Sequence, residues 1–139
     1  MGQSIRDVMT ADPHTVAADA TLTDAAREMK SDDIGAVLVE DGGSVSGILT
    51  DRDIVVRAIA EGRDPSSTKV GDVASRDVKT LSPDSSVEDA IKIVREQHVR
   101  RIPVVQDGRP AGIVSIGDLA VERDSDSALA DISQAPSNN

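Results

Sequence analysis

Two short segments of the chain place a hydroxyl three residues before a carboxylate, where an apolar strand is predicted to lead into a helix: Thr50 with Asp53, and Ser115 with Asp118. A hydroxyl at the start of a helix lies beside free backbone amides and the positive end of the helix dipole, which suits a phosphate. The carboxylate can accept hydrogen bonds from the two hydroxyls of a ribose. The same spacing is also a capping box, which stabilises a helix and binds nothing. For one segment alone the cap is the stronger interpretation, and the recurrence of the motif favours a ligand.

The two segments belong to an internal repeat that extends over most of the chain. An offset of 65 residues, the difference between 115 and 50, aligns the halves without a gap and also brings Asp7-Val8 onto Asp72-Val73. Such self-similarity predicts two copies of one supersecondary unit. We expect each copy to be helix, strand, strand, helix after a lead-in segment, which makes the fold class α/β (α+β) with two pseudo-symmetric repeats. The predicted boundaries are 1–62 for the first repeat, 63–69 for a linker, 70–123 for the second repeat and 124–139 for a flexible tail.

Local patterns predict the elements that position these segments. Thr21 with Asp24, and Ser86 with Asp89, have the capping-box spacing at the start of a helix. Each first strand (36–39 or 102–105) leads to a hairpin turn at Asp41-Gly42 or Asp107-Gly108. Apolar residues recur at the spacing of one helical face; they are Leu22, Ala25, Ala26 and Met29 in the first repeat and Val87, Ala90, Ile91 and Val94 in the second.

Composition excludes several classes of function. The 139 residues contain no Phe, Trp, Tyr or Cys and carry a formal net charge of −10. The charge opposes binding to nucleic acid or anionic lipid, and no apolar run is long enough to span a membrane. The lack of cysteine removes disulfides, thiolate metal sites and thiol nucleophiles. The start of the sequence has no apolar signal segment, so we expect a cytoplasmic protein.

Catalytic and metal-binding patterns are weak. His14 and His98 are the only histidines, and neither has a ligand-type residue four positions away, so we expect surface side chains and no metal site. The acidic pair Asp32-Asp33 is predicted as a solvated turn. No nucleophile is paired with a base, and no Walker or dinucleotide glycine motif occurs, which argues against an enzyme.

The order helix, strand, strand, helix, twice, each time with Gly-x-x-Thr/Ser-x-x-Asp at the last strand, resembles the tandem pair of cystathionine-beta-synthase-type (CBS) domains, also called a Bateman module. The resemblance covers residues 5–123. Residues 98–105 (His-Val-Arg-Arg-Ile-Pro-Val-Val) and 50–54 (Thr-Asp-Arg-Asp-Ile) are similar to stretches of small bacterial members. It implies sheets packed against each other about a pseudo-twofold axis. It also implies clefts between the repeats that bind AMP, ADP, ATP or S-adenosylmethionine in many members.

The resemblance also implies roles for individual residues. Gly35 and Ala36 of the first repeat replace a basic pair of the second, so one cleft is better equipped for a phosphate than the other. Core packing is the simpler role for the aliphatic residues that could enclose adenine, which are Val16, Ile34, Val37, Leu81, Val99 and Ile102. Carried over by position, the ligand-binding residues are Thr50 and Ser115 toward phosphate, Asp53 and Asp118 toward ribose, and Arg52, Arg100 and Arg101 as basic phosphate contacts.

We therefore predict a non-enzymatic regulatory or sensor module that binds an adenosine-containing ligand and has no cofactor. Each repeat leaves an apolar helical face that the small core cannot cover completely, and CBS pairs commonly bury such faces by stacking two modules, so we expect a homodimer. The expected further partner is a regulated protein of unknown identity. In the second helix of the first repeat the apolar residues are Ile54, Val55, Ala58 and Ile59. The alternative is a ligand-free structural or protein-interaction module, for example stress-related, in which the hydroxyl–carboxylate segments are only caps. A nucleic-acid binder is least favoured, because the net charge opposes it.

Overall fold

The structure, a computed structural model, describes residues 3–76 and 78–123, with side chains up to residue 120. The chain divides into two compact units. The Thr50 unit contains residues 13–76, 78 and 108–110, and the Ser115 unit contains residues 3–12, 79–107 and 111–123. Each unit thus joins the lead-in segment of one sequence repeat to the body of the other. No helix within these described ranges is long and apolar enough to cross a membrane. The tail predicted at 124–139 lies outside them.

A four-stranded sheet forms the centre of the Thr50 unit, in the order β2 (Thr15–Ala17), β3 (Ala36–Asp41), β4 (Ser44–Thr50) and β5 (Ser75–Arg76). β2 runs parallel to β3, whereas the β3–β4 and β4–β5 pairs are antiparallel. The middle of β3 and the end of β4 are continuously apolar and buried, as is typical of strands covered on both faces.

The sheet of the Ser115 unit has the same plan. Its strands are β1 (Thr10–Ala11), β7 (Arg109–Ser115) and β6 (Arg101–Gln106), in that order, and a parallel bridge joins Leu81 to Val104 of β6. Leu81 therefore takes the place of β2, and β6, β7 and β1 take the places of β3, β4 and β5. In both units the outermost strand comes from the lead-in segment of the other sequence repeat.

The approach of that outermost strand explains one repeated glycine. A Cβ atom at Gly47 would collide with the carbonyl oxygen of Ser75 in β5, and a Cβ atom at Gly112 would lie 2.7 Å from that of Thr10 in β1. A side chain at either position would force the outer strand away from its partner. The alignment of Gly47 with Gly112 is therefore a packing requirement of both sheets.

The two long helices begin where the capping patterns predict: α2 (Leu22–Asp32) and α5 (Val87–Gln97). In α2 the hydroxyl of Thr21 accepts a hydrogen bond from the amide of Asp24 at 3.2 Å. In α5 the hydroxyl of Ser86 accepts one from the amide of Asp89 at 3.0 Å. The caps of both repeats are confirmed.

The buried face of α2 is narrower than predicted. Leu22, Ala25 and Met29 are buried in the core of the Thr50 unit, but Ala26 is exposed. At about 100° per residue, Ala26 lies roughly 70° from the centre of the buried stripe, which places it at the edge of the face. Ala26 was predicted on the apolar face of the helix, but it does not contribute to the core.

Both hairpins turn through two residues with positive φ, as a type I′ turn requires. The predicted turn at Asp107 and Gly108 is confirmed, with φ values of 54° and 80°. In the first repeat the turn residues are Gly42 and Gly43, with φ values of 63° and 86°, one residue later than predicted. Two glycines adopt this conformation at lower cost than Asp41-Gly42 would, so the turn moves onto them.

The helices that follow the junctions differ between the repeats. α3 (Asp51–Ile54) continues into a π-helical segment (Val55–Ile59), and α6 (Ile116–Arg123) follows Ser115. Ala58 is buried, whereas Val55, Val56 and Ile59 are 58%, 45% and 52% exposed. These three residues form an exposed group, here called the apolar patch.

Residues 63–69 are held by hydrogen bonds around Asp64. One oxygen of the Asp64 carboxylate accepts from the amide and hydroxyl of Ser66 at 2.9 and 2.7 Å, and its carbonyl oxygen accepts from the buried Thr68 hydroxyl at 2.7 Å. The side-chain and backbone hydrogen bonds from Ser66 lower the pKa of Asp64. The segment leads directly into α4 (Val70–Val73), which packs in the core of the Thr50 unit. The corresponding lead-in helix α1 (Ile5–Val8) contributes Ile5 to the core of the Ser115 unit.

Candidate functional site

The first junction links the end of β4 to α3 through two reciprocal hydrogen bonds. The hydroxyl of Thr50 accepts from the amide of Asp53 at 3.1 Å, and Oδ2 of Asp53 accepts from the amide of Thr50 at 3.0 Å. Both side chains are half-buried. The segment is thus a complete capping box.

The second junction repeats this arrangement between β7 and α6. The hydroxyl of Ser115 accepts from the amide of Asp118 at 3.2 Å, and Oδ2 of Asp118 accepts from the amide of Ser115 at 3.0 Å. Both residues are again half-buried. The two repeats therefore present the same pair of functional groups at the same point of the fold.

A capping box of this kind leaves groups that can still bind a ligand. A hydroxyl that accepts from an amide keeps its own proton to donate, and a carboxylate that uses Oδ2 keeps Oδ1 as an acceptor. At Asp53, however, Oδ1 lies 3.7 Å from Nε of Arg57, which also donates from Nη1 to the carbonyl of Val73 at 3.2 Å. The residue that aligns with Arg57 at an offset of 65 is Glu122, so the sequence of the second repeat has no basic residue at this position.

Arg100 is held at the second junction through its backbone. Its carbonyl oxygen accepts from the amide of Ile116, the first residue of α6, at 2.9 Å. In the Thr50 unit, the carbonyl of Gly35 accepts from the amide of Asp51 at the same distance. Gly35 is thus the structural counterpart of Arg100, so the basic side chain that Arg100 supplies at the second junction has no equivalent at this position of the first. A Cβ atom at Gly35 would lie 3.1 Å from Oδ2 of Asp51, so a carboxylate occupies the space beside this position.

The other two basic residues differ in exposure. Arg101 is half-buried at the start of β6, next to Arg100. The side chain of Arg52 is exposed, while its amide donates to Oδ1 of Asp51 at 2.8 Å. The structure therefore gathers Arg100, Arg101 and the Ser115 junction within one unit, and leaves Arg52 at the surface beside the Thr50 junction.

Most of the aliphatic residues considered for adenine are core residues. Val16, Val37, Leu81 and Ile102 are buried within the two hydrophobic cores. The remaining two candidates, Ile34 and Val99, are only partly buried. Ile34 directly precedes Gly35, and Val99 directly precedes Arg100, so each has accessible surface next to one of these two equivalent positions.

One cluster of ligand-type side chains is not apparent from any sequence motif. His14, Glu28 and Asp32 bring one potential ligand atom each to within 4.8 Å of the others. Asp32 is the last residue of α2 rather than part of a turn, and its Oδ2 lies 3.3 Å from Nδ1 of His14. The sequence signal is the i, i+4 spacing of the two carboxylates on one helix face. Their partner His14 reaches them only through the fold.

A surface cavity of about 300 Å³ lies at another part of the Thr50 unit. Residues of both charges line it, among them Lys69, Arg76, Asp19, Glu40 and Asp72. None of the seven predicted ligand-binding residues contributes to its lining.

Comparison with known proteins places the chain in a family. The CBS domain family matches it twice, over residues 5–59 and 70–124. The chain is 40% identical over 134 residues to the CBS domain-containing protein YhcV of Bacillus subtilis, which covers 94% of this chain and 95% of the relative. It is 37% identical over 116 residues to hypoxic response protein 1 of Mycobacterium tuberculosis, with 83% and 81% covered. The chain belongs to the CBS-domain family, which confirms the resemblance found in the sequence.

Solved structures agree with this assignment. The crystal structure of hypoxic response protein I with two coordinated zinc ions has a TM-score of 0.76 at 36% identity, over 85% of this chain and 97% of that one. A hexameric CBS-CP12 protein from bloom-forming cyanobacteria has a TM-score of 0.80 at 28% identity, over 90% and 74%. The α/β fold with two CBS repeats is thereby confirmed. Tandem CBS modules are generally regulatory, ligand-binding and non-catalytic.

Proposed function

We propose that this protein is a non-enzymatic regulatory module that binds an adenosine-containing ligand, which is AMP, ADP, ATP or S-adenosylmethionine. The observation that carries the proposal is the repeated junction, in which a hydroxyl and a carboxylate have the same hydrogen bonds in both units. CBS domains in general bind adenosine ligands, which supports this choice of ligand class. The protein would be cytoplasmic and would act as a homodimer, as predicted from the sequence.

The Ser115 unit would contribute most to the binding of a phosphate. In a protein with a net charge of −10, a phosphate needs a local cation to offset the repulsion. Arg100 and Arg101 supply two, and Ser115 adds a hydroxyl donor whose own proton is not used by the cap. Asp118 would accept from the ribose hydroxyls through its second oxygen.

The Thr50 unit would bind a less charged ligand. Thr50 and Asp53 offer the same hydroxyl and carboxylate, but Gly35 stands where Arg100 stands in the other repeat. Arg52 is the one predicted basic phosphate contact there, and its side chain is exposed. A nucleoside or S-adenosylmethionine would therefore suit this unit better than a triphosphate.

The homodimer would form through the apolar patch of Val55, Val56 and Ile59. Each of these side chains is about half exposed, and clustered aliphatic surface of this kind is typical of an interaction site. The regulated protein would then respond to the ligand through a dimer rather than through a single chain.

A thermal-shift experiment with the full chain tests the proposal. A ligand at 100 times its dissociation constant stabilises the folded state by about 2.7 kcal/mol, which raises the midpoint by several degrees, roughly, for a chain of this size. We expect such a shift with at least one of AMP, ADP, ATP and S-adenosylmethionine, and none with the matching guanosine nucleotides. No shift with any adenosine compound at millimolar concentration would contradict the proposal.

A ligand-free interaction module is the second candidate, and one observation favours it. Both capping boxes are complete without a ligand, and Asp53 also lies near the guanidinium of Arg57. In that case the junctions only stabilise α3 and α6, and the apolar patch carries the function. A stable dimer that no adenosine compound stabilises would favour this candidate.

A further inference from the structure

We infer that His14, Glu28 and Asp32 form a binding site for a divalent transition-metal ion of the zinc type. The three side chains belong to the Thr50 unit and share no residue with the hydroxyl–carboxylate junctions. One atom from each, an imidazole nitrogen and two carboxylate oxygens, lies within 4.8 Å of the other two. The site is independent of the proposed nucleotide function.

The spacing of the ligand atoms fits one ion. Two ligands of a tetrahedral zinc ion with bonds of about 2.1 Å lie roughly 3.4 Å apart. Nδ1 of His14 and Oδ2 of Asp32 are 3.3 Å apart, so this pair already has the required separation. No separation in the cluster is larger than 4.8 Å, so the widest exceeds the tetrahedral one by at most roughly 1.4 Å. Rotation of a long, half-buried side chain such as Glu28 closes a gap of this size.

The three ligands stand on rigid elements. Glu28 and Asp32 lie one turn apart on α2, which is anchored by the buried side chain of Met29 between them. His14 precedes β2, and its carbonyl oxygen accepts from the amide of Leu38 in β3 at 2.9 Å. A site on a helix and a strand edge holds its ligands more firmly than a site on a loop.

The charge pattern of α2 is unfavourable without a cation. Glu28 and Asp32 are like charges at i and i+4, which destabilises a helix. Both lie in the last two turns, where the helix dipole favours basic side chains. Lys30, the basic residue of the last turn, is two positions from each and projects from a different side of the helix. A bound divalent ion would convert both unfavourable terms into favourable ones.

The ligand set indicates the class of metal. Imidazole favours zinc, copper, nickel and iron over magnesium and calcium, which prefer oxygen ligands alone. Three protein ligands leave a further coordination position for water or an external ligand, as in open zinc sites. The half-exposed His14 and Asp32, at 43% and 39%, leave that position accessible from solvent.

Zinc titration of the full-length, metal-free protein by isothermal calorimetry tests the inference without any nucleotide. The chain provides a matched control, because His98 is its only other histidine. We expect one zinc ion per chain in the wild type, a loss of affinity of at least about tenfold in His14→Ala, and no change in His98→Ala. Asp32→Asn and Glu28→Gln keep the shape of each side chain and should also weaken zinc binding, so the test survives if one variant fails to fold. Magnesium should bind far more weakly than zinc.

Four results would overturn the inference. They are a wild type that binds no zinc, an affinity in His14→Ala equal to that of the wild type, an equal loss in His98→Ala, and magnesium binding as tight as zinc binding. The thermal midpoint of metal-free His14→Ala should stay close to that of the wild type, because its side chain is exposed. Zinc should raise the midpoint of the wild type and not that of this variant.

Discussion

Replacement of Asp118 by alanine separates the two roles of the second junction. The change removes the oxygen that accepts from the amide of Ser115 at 3.0 Å, and it also removes the acceptor proposed for the ribose hydroxyls. The first loss affects the stability of the free protein, and the second affects only ligand binding. Two quantities are therefore measured for the variant, the stability of the free protein and the affinity for the ligand. If Asp118 is only a cap, the stability alone decreases; if it also binds the ligand, both decrease.

The magnitudes follow from the hydrogen bonds involved. Loss of one half-buried capping bond costs about 0.5–1.5 kcal/mol of folding free energy, which lowers the thermal midpoint by a few degrees, roughly. Loss of a charge-assisted bond to the ribose costs about 1.5–3 kcal/mol of binding free energy, which raises the dissociation constant roughly tenfold to hundredfold. At Asp53 we expect a smaller loss of affinity for a phosphorylated ligand, because that junction lacks the cation of Arg100.

The chain contains a matched control for the cap alone. Ser86 and Asp89 form the same box at the start of α5, with distances of 3.0 and 3.5 Å, at a position to which we assign no ligand. Asp89→Ala should lose stability without any loss of affinity. Calorimetric titration of Asp118→Ala, Asp89→Ala and the wild type with AMP and ATP makes the comparison. Equal affinities in all three proteins would refute the role of Asp118 in binding and leave it as a cap.

Four further predictions concern other parts of the molecule. Arg100→Ala or Arg101→Ala should lower the affinity for ATP roughly tenfold to hundredfold and leave the affinity for adenosine nearly unchanged, as measured by calorimetry. Unchanged ATP affinity in both variants would contradict their assignment as phosphate contacts. Ile59→Lys in the apolar patch should convert the proposed dimer into the 14.5 kDa monomer in sedimentation equilibrium; a monomeric wild type at tens of micromolar, roughly, would refute the dimer. The pKa of Asp64 is lowered in the folded state, so its ionised carboxylate stabilises the fold above its ordinary pKa near 3.8, and this stabilisation is lost as the pH falls through the folded-state pKa. The free energy of unfolding of Asp64→Asn, measured with urea, should therefore depend less on pH in this acidic range than that of the wild type. An unchanged pH dependence would contradict the role given to Asp64. The segment 1–63 alone should unfold without a cooperative transition, since it lacks α4 and β5 of the Thr50 unit; a sharp monomeric transition would refute this.

Local patterns in the sequence were sufficient to predict the caps of the two long helices and the turn of the second hairpin. The caps at Thr21 and Ser86 and the turn at Asp107 depend on residues within a few positions of each other, and the structure confirms them. The Ser115 junction was predictable for the same reason, because its two hydrogen bonds join residues three apart.

Features that depend on residues far apart in sequence were not predictable in this way. His14, which precedes β2, meets Asp32 at the end of α2 only through the fold, and no spacing rule connects two residues 18 positions apart. The contact of Arg57 with the carbonyl of Val73 likewise requires the lead-in segment of the other repeat to lie in the same unit. The two-residue strand β5 is too short to produce an alternating pattern, so its pairing with β4 had no local signal.

The origin of the outer strands has a consequence for how such a chain could have evolved. Because β1 pairs with β7 and β5 pairs with β4, neither repeat completes its sheet from its own residues. A single-repeat ancestor would have needed the lead-in segment of another molecule, and so would have existed as a strand-exchanged pair. Joining two such repeats in one chain makes this association independent of protein concentration. In the joined chain each repeat supplies a strand that the other needs, whereas positions outside the strand pairing, such as Gly35 and Arg100, differ between the repeats.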